Sequence, residues 1–223
     1  MTDQPAGDRP GIDAPDRRGR TGLDRVGRDL TGNPRVRVTD VELLASDWFV
    51  LRKTTLDYLG ADGAWSTQTR ETYDRGDGAT VLLHDVAAGT VLLVRQFRYP
   101  AYVNGHPTGD LEELPAGLLD ADAPEEAIRR EIAEETGLDV GEVTPVFELY
   151  MSPGSVTEKL HFFAAPYVSG SHGARAGVAD EGEETEIVEW AIDDAIAAIG
   201  SRIVDAKTAI MLYWARSSGP FRA

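Results

Sequence analysis

The segment Gly117–Leu138, reading GLLDADAPEEAIRREIAEETGL, restricts what this chain can fold into more than any other stretch. Ile128 and Ile132 recur at helical spacing and Gly137 stands where a helix stops, so the segment predicts one amphipathic helix. The same helix carries Glu131, Glu134 and Glu135 at i, i+3 and i+4. At about 100° per residue, Glu131 and Glu135 lie only about 40° apart around the axis, within the arc that also holds the two isoleucines. Glu135 therefore sits beside the stripe that must face a core, where a merely solubilising carboxylate is not expected. Like charges at this spacing repel unless something positive lies between them. A hard divalent cation meets that need, because Mg2+ takes carboxylate oxygens together with water and substrate phosphate. The bland alternative is a salt-bridged surface helix with Glu126–Arg130 and Arg130–Glu134 pairs.

At the start of the segment, Asp122 and Glu125 are spaced for a capping box, and Pro124 suits the first helical turn. From Arg130 to Leu138 the string R-E-I-A-E-E-T-G-L resembles the second half of the Nudix box, G-x5-E-x7-R-E-U-x-E-E-x-G-U with U aliphatic. Gly117 matches its first glycine. The gap from Gly117 to Arg130 is one residue shorter than the general form, so Ala123 stands where the pattern has its first Glu. That Glu belongs to the helix start rather than to the metal ligands. The complete second half favours the metal reading over the surface helix.

Composition narrows the remaining choices. The 223 residues suffice for one generous domain or for a domain with a small extension. There is no cysteine, which excludes disulfides, thiolate nucleophiles and Cys-ligated zinc. With no signal peptide and no apolar run of membrane-spanning length, a cytoplasmic protein is expected. The formal net charge of −16 opposes binding to nucleic acid or to an anionic membrane. A phosphorylated substrate must therefore be received by local arginines and bound cations.

Along the chain, residues 1–34 are rich in Gly, Pro, Asp and Arg without apolar periodicity, and predict a disordered tail. Residues 35–75 hold the alternating segments RVTDVELLA, DWFVLRKTTLDYL and AWSTQTRETYD with a turn at LGADGAW, which predicts an antiparallel meander. In residues 76–220, ATVLLHD and TVLLVRQFRY flank a turn at Ala87–Gly89 and read as a hairpin. LEELPAG leads into the helix, PVFELYMSP and KLHFFAAPYV follow as strands, and a Gly- and acid-rich loop from about Ser169 to Glu184 precedes the strand EIVEWAI. Helical patterns at DDAIAAIG and DAKTAIMLYWARSS close the chain. Strands around a central helix with further helices at the end predict an α/β fold, a mixed sheet between helices preceded by a small antiparallel β region.

The resemblance extends from about Arg70 to Leu212 and points to the nucleoside-diphosphate-sugar pyrophosphatase branch of the Nudix hydrolases. RETYDRGDGATVLL, VRQFRYPAYVNG, ELYMSPGSVTEKLHFF, KTAIMLYW and the shortened box look like the GDP-mannose pyrophosphatases. EELPAG looks like the ADP-ribose pyrophosphatases. This resemblance implies an α/β/α Nudix sandwich and a homodimer. It further implies two or three Mg2+ ions, with Mn2+ as a substitute, held by Glu131, Glu134, Glu135 and the carbonyl of Ala116. Arg130 would orient these carboxylates. Arg70 and Arg95 would bind diphosphate, with Arg98 as a further candidate because a guanidinium fork suits phosphate oxygens. Since Arg95 and Arg98 are three residues apart, their guanidiniums need not share a face. Glu113 would contact the sugar or orient an arginine.

The pattern V-A-D-E-x-E at Val178–Glu183 resembles a loop that closes over substrate and supplies a water-activating carboxylate, assigned first to Glu181 and second to Glu183. Read plainly, the same loop is a solvated acidic turn. Pro153 falls where ADP-ribose-type enzymes carry a signature proline, or is a structural turn. His161 is read as a satisfied strand residue, and Trp48, Phe49 and Tyr58 as core aromatics or a base-stacking surface. The expected reaction is Mg2+-dependent attack of water on the diphosphate of a small-molecule nucleotide sugar, GDP-mannose or ADP-ribose, giving a nucleoside monophosphate and a sugar phosphate. The alternative is a non-catalytic Nudix-like nucleotide-sugar-binding module, which would be expected to have lost box carboxylates.

Overall fold

A computed structural model of the chain describes residues 32–47, 49–119, 122–173, 175–176 and 185–222. The chain divides into two compact units. The first takes the described residues up to Asp77 and returns for Tyr150–Lys159; the second comprises Gly78–Leu149 and Leu160–Ala223. Most of the expected N-terminal tail, residues 1–31, lies outside the described residues.

In the first unit, β1 (Val36–Ser46), β2 (Val50–Leu59) and β3 (Trp65–Asp74) form an antiparallel sheet in that order, as the alternating segments predict. The turn between β2 and β3 closes through Gly63, whose φ of +81° few other residues would tolerate. The interior of this unit is partly ionic. Arg52 is fully buried and donates to the Asp74 carboxylate at 3.0 Å. Asp74 also accepts from the backbone of Gly76 and the hydroxyl of Thr157, which gives the buried charge several partners. Phe49 packs edge-on against Tyr73 at 5.5 Å, and Arg35 stacks over Tyr58. Both aromatics are half-buried rather than core, and Trp48 lies outside the described residues.

The second unit begins with β4 (Gly78–Asp85) and β5 (Thr90–Phe97), followed by α1 (Tyr99–Val103), β6 (Asp110–Glu113) and β7 (Ala116–Leu118). Then come α2 (Pro124–Thr136), β8 (Thr144–Tyr150), β9 (Lys159–Pro166), β10 (Arg175–Ala176) and β11 (Thr185–Ala191). The helices α3 (Ile192–Ala197) and α4 (Ala206–Ser217) complete it. The strands form one sheet in the order β10-β11-β5-β4-β9-β8, mixed because β4 and β9 run parallel. The expected hairpin is present, with Gly89 at φ +73°. The short helix α1 was not foreseen: its core holds no apolar periodicity, and none of its residues is buried.

Pleat alternation buries both faces of this sheet. Ala79, Val81, Leu83, Leu92, Phe163 and Ala165 pack with Ile128 and Ile132 of α2 in one core. Phe162, the neighbour of Phe163, meets Phe147 on the other face, and Phe147 in turn meets Trp214 of α4. This is the expected sandwich, and it explains why VLL in β4 and VLLV in β5 are continuous apolar runs.

One departure from a simple hairpin positions the site. β4 and β5 pair only beside their turn, from Leu83↔Leu92 to Asp85↔Thr90. They then part, β6 pairing with β5 and β7 with β4, so that the connector Leu114-Pro115 lies in the fork. The Pro115 carbonyl accepts the Val81 N–H at 3.1 Å and the Thr80 hydroxyl at 2.9 Å. A proline fits there because its missing N–H is not asked for.

Candidate active site

Residues 112–117, coming out of the fork, are each fixed separately, and α2 lies against them. The Ala116 N–H donates to one carboxylate oxygen of Glu135 at 3.1 Å, and the Gln96 side-chain amide donates to the other at 3.2 Å. Thr185 binds the Glu135 backbone carbonyl at 3.3 Å. At Gly117 a Cβ would collide with the Glu131 carboxylate, so glycine is what lets that side chain lie flat on β7. Helix α2 begins at Pro124 as expected, but its N-cap is Ala123, with no side-chain cap. The capping box expected from Asp122 and Glu125 is therefore not formed. Asp122 sits one residue too early and faces Arg130 at 3.5 Å, while Glu125 and Glu126 supply first-turn negative charge instead. Gly137 ends the helix in the left-handed conformation, φ +68°.

The Glu135 carboxyl is 3% exposed. Burial, reinforced by the nearby Glu131 charge, pushes its pKa up to about 8, against the pull of the Ala116 N–H. Glu113 and Arg98 also act on it, which brings both residues electrostatically into the same neighbourhood. Arg130 lies over the other carboxylates, donating to Glu131 at 2.9 Å and to Glu134 at 3.4 Å, and reaching the Leu118 carbonyl at 3.4 Å.

Arg95 and Arg98 do not share a partner. Arg95 stands opposite Glu112 and Glu186 in the sheet and binds both, at 2.7 and 2.5 Å. Gln96 alternates to the opposite face and reaches Glu135. Arg98 donates to Glu113 at 2.5 Å, and Glu113, 3% exposed, also receives the ammonium of Lys207. Glu112 and Lys207 were not singled out from sequence. Glu112 collects Arg95, Arg202 and the Trp190 indole N–H. Burial works to raise its pKa, but the hydrogen bonds from Arg95 and Arg202 outweigh it and hold the carboxyl below its ordinary value. Its one sequence signal was the Glu-Glu doublet opposite an arginine-bearing strand. For Lys207, burial lowers the pKa while Glu113 and Asp205 raise it, and the net shift is upward.

The family model of the GDP-mannose pyrophosphatase NudK N-terminal domain matches residues 35–73, and that of the NUDIX domain matches residues 74–207. The chain belongs to the Nudix pyrophosphohydrolases. A GDP-mannose pyrophosphatase of Yersinia enterocolitica is 51% identical over 179 residues, covering 80% of this chain and 93% of the relative. One of Pectobacterium atrosepticum is 48% identical over 187 residues, covering 83% and 96%. One of Citrobacter koseri is 48% identical over 178 residues, covering 79% and 93%.

The Nudix helix carries a donor set suited to a hard cation, oxygen ligands only, with one carboxylate buried beside another. The cradle at Gly117, which a Cβ would fill, holds Glu131 where its charge meets that of Glu135. Among the described residues no three acidic or histidine side chains are already gathered as a metal-binding group. Glu131 and Glu134 are instead partnered by Arg130, and Glu135 by Ala116 and Gln96.

Arg70 belongs to the first unit, on β3, where it binds the Thr69 carbonyl at 2.8 Å and the Gln68 side chain at 2.5 Å. It lines a groove of about 560 Å³ with Tyr150, Pro153 and Thr157. Pro153 is thus in the wall of that groove. His161 faces Glu148 at 3.5 Å, as expected of a satisfied strand residue. Glu181 and Glu183 lie outside the described residues. No helix among the described residues is long and apolar enough to cross a membrane.

Proposed function

We propose that the protein hydrolyses the diphosphate bond of GDP-mannose, giving GMP and mannose 1-phosphate, in a Mg2+-dependent reaction. The observation that carries the reaction is the buried Glu135 carboxyl beside Glu131, anchored by the Ala116 N–H at 3.1 Å and followed around the helix by Glu134. The choice of GDP-mannose over ADP-ribose is supported by the relatives named above, which match over most of their own length.

In this reading Glu131, Glu134, Glu135 and the Ala116 carbonyl would hold Mg2+, which when bound would supply charge neutralisation and Lewis acidity at the diphosphate. Arg130 positions Glu131 and Glu134 through its two hydrogen bonds. Arg98, whose charge acts on Glu135, receives phosphate oxygens, and Glu113 sets its direction. Arg95 holds the β5–β6–β11 junction through Glu112 and Glu186 and offers its remaining donor capacity to the diphosphate. Arg70 is retained as a phosphate ligand on resemblance. A loop carboxylate, Glu181 before Glu183, takes the proton of the attacking water. The water oxygen bonds to one phosphorus as the anhydride P–O bond breaks, and the leaving phosphate departs as the second product.

Incubation with Mg2+ and, separately, GDP-mannose and ADP-ribose, followed by resolution of the released nucleotides, tests the reading. Release of GMP from GDP-mannose at a higher kcat/KM than AMP from ADP-ribose is expected. Absence of GMP release overturns it.

A further inference from the structure

Strand β5 turns Leu92, Val94 and Gln96, at alternate positions, to the face that α2 covers. Leu92 and Val94 are fully buried, and Leu92 packs with Ile128 and Ile132 of α2. A third apolar side chain would continue that stripe. Gln96 stands there instead, opposite Leu111 of β6 and only 7% exposed. An amide buried in this way is costly unless it is hydrogen-bonded, and Gln96 directs its side-chain N–H to Glu135 at 3.2 Å. Attachment of α2 to the sheet does not require this bond. Ile128 and Ile132 already fill the core beneath the helix, and the Thr185 hydroxyl already holds the Glu135 backbone carbonyl at 3.3 Å.

The three carboxylates of the helix are held in two different ways. Glu131 and Glu134 take the guanidinium of Arg130. Among the described residues, the side chain of Glu135 takes only neutral donors, the Ala116 N–H on one oxygen and the Gln96 amide on the other. A single donor leaves a carboxyl group free to turn about the one bond, whereas a donor on each oxygen fixes its plane. A neutral donor also orients the group without offsetting its charge, as an arginine or lysine in the same place would. The main chain supplies the first donor whatever the sequence; the second depends on the side chain at position 96.

We propose that Gln96 is a positioning residue for Glu135, its amide fixing the plane in which that carboxyl group is offered to a divalent cation. The proposal rests on the reading of Glu135 as a Mg2+ ligand. Partners of this kind, one bond removed from the metal, typically contribute about 10–100-fold to metal affinity. The consequence therefore falls on metal binding, before any substrate is present.

Mn2+ titration without substrate, followed by the electron paramagnetic resonance signal of free Mn2+, tests this on wild type, Gln96→Met, Gln96→Leu and Glu135→Gln. Thermal melting of each in EDTA accompanies it. In Gln96→Met and Gln96→Leu, which keep an apolar bulk but no donor, the Mn2+ dissociation constant rises about tenfold or more at temperatures where both are folded. Mn2+ binding as tight as in wild type overturns the proposal, and a lowered metal-free Tm with unchanged Mn2+ affinity shows Gln96 to be a structural amide only. Should neither variant fold, Gln96 is likewise structural and the proposal fails. Mn2+ affinity untouched by Glu135→Gln refutes the parent assignment of Glu135 as a ligand. Affinity lost in Glu135→Gln but kept in both Gln96 variants refutes the role of Gln96 alone.

Discussion

The Glu135 carboxylate on α2 accepts the N–H of Ala116 at the start of β7, 3.1 Å away, so the helix and the strand that flank the site are tied by one of the site's own acids. That bond anchors a carboxyl whose burial and proximity to Glu131 push its pKa up to about 8.

Glu135→Gln keeps the length and hydrogen-bonding capacity of the side chain while deleting the charge. Near neutrality metal-free thermal melting should rise, since the unfolded chain ionises a carboxyl that folding keeps largely protonated, whereas the increase in Tm that Mg2+ confers on wild type should disappear. Turnover should fall by more than the roughly 10–100-fold typical of residues that only orient a metal ligand. An undiminished Mg2+-dependent Tm shift in this variant would remove Glu135 from the ligand set.

Gly117→Ala places a methyl group where the Glu131 carboxylate lies. Overpacking of this kind costs about 1–3 kcal/mol, readable from urea denaturation. Because the group displaced is a proposed metal ligand, the Mg2+ concentration giving half-maximal rate should increase as well. A stability loss with unchanged metal requirement would mean that Glu131 does not hold metal.

Arg98→Ala and Arg95→Ala should differ in kind. Arg98 pairs with Glu113, whose charge is felt at Glu135, so its loss should raise KM by about tenfold or more, the equivalent of a charge-assisted hydrogen bond of about 1.5–3 kcal/mol. Arg95 bridges Glu112 and Glu186, and its loss should lower Tm as much as it affects KM. Equal KM effects with no difference in Tm would contradict this division.

Glu112 makes a pH-dependent contribution to stability. Hydrogen bonds from Arg95 and Arg202 outweigh burial and lower its folded pKa below the ordinary 4.5. In the interval between the two values the unfolded chain binds more protons, so stability rises with pH there. The contribution is complete above pH 4.5 and is lost as pH falls through the folded value. The Tm gap between wild type and Glu112→Gln should therefore be widest near neutrality and narrow below pH 4.5. A gap that widens on acidification would refute the assignment.

Much of the fold was legible because it follows local rules. The meander of β1–β3, the β4–β5 hairpin, α2 and α4 all follow from strand alternation, glycine turns or helical periodicity. The capping box failed for a local reason too: the shortened loop puts Ala123 rather than Asp122 at the N-cap. The exposed helix α1 has no apolar stripe to betray it.

Glu131, Glu134 and Glu135 were singled out by helical spacing together with the Nudix-box string, since a helix fixes which side chains share a face. Helical spacing also put Glu135 beside the core-facing stripe, but what it is buried against depended on long-range register. Only the parting of β4 from β5 brings Leu114-Pro115 into the fork and turns the Ala116 N–H toward Glu135. Likewise, Arg95 and Glu112 are 17 positions apart, and Lys207 and Glu113 are 94 apart. No periodicity encodes such pairs. The sequence by itself determined a helix with three carboxylates close together around its axis; tertiary structure decided which charges surround it, because ionic partners are chosen by distance through space and by burial from water.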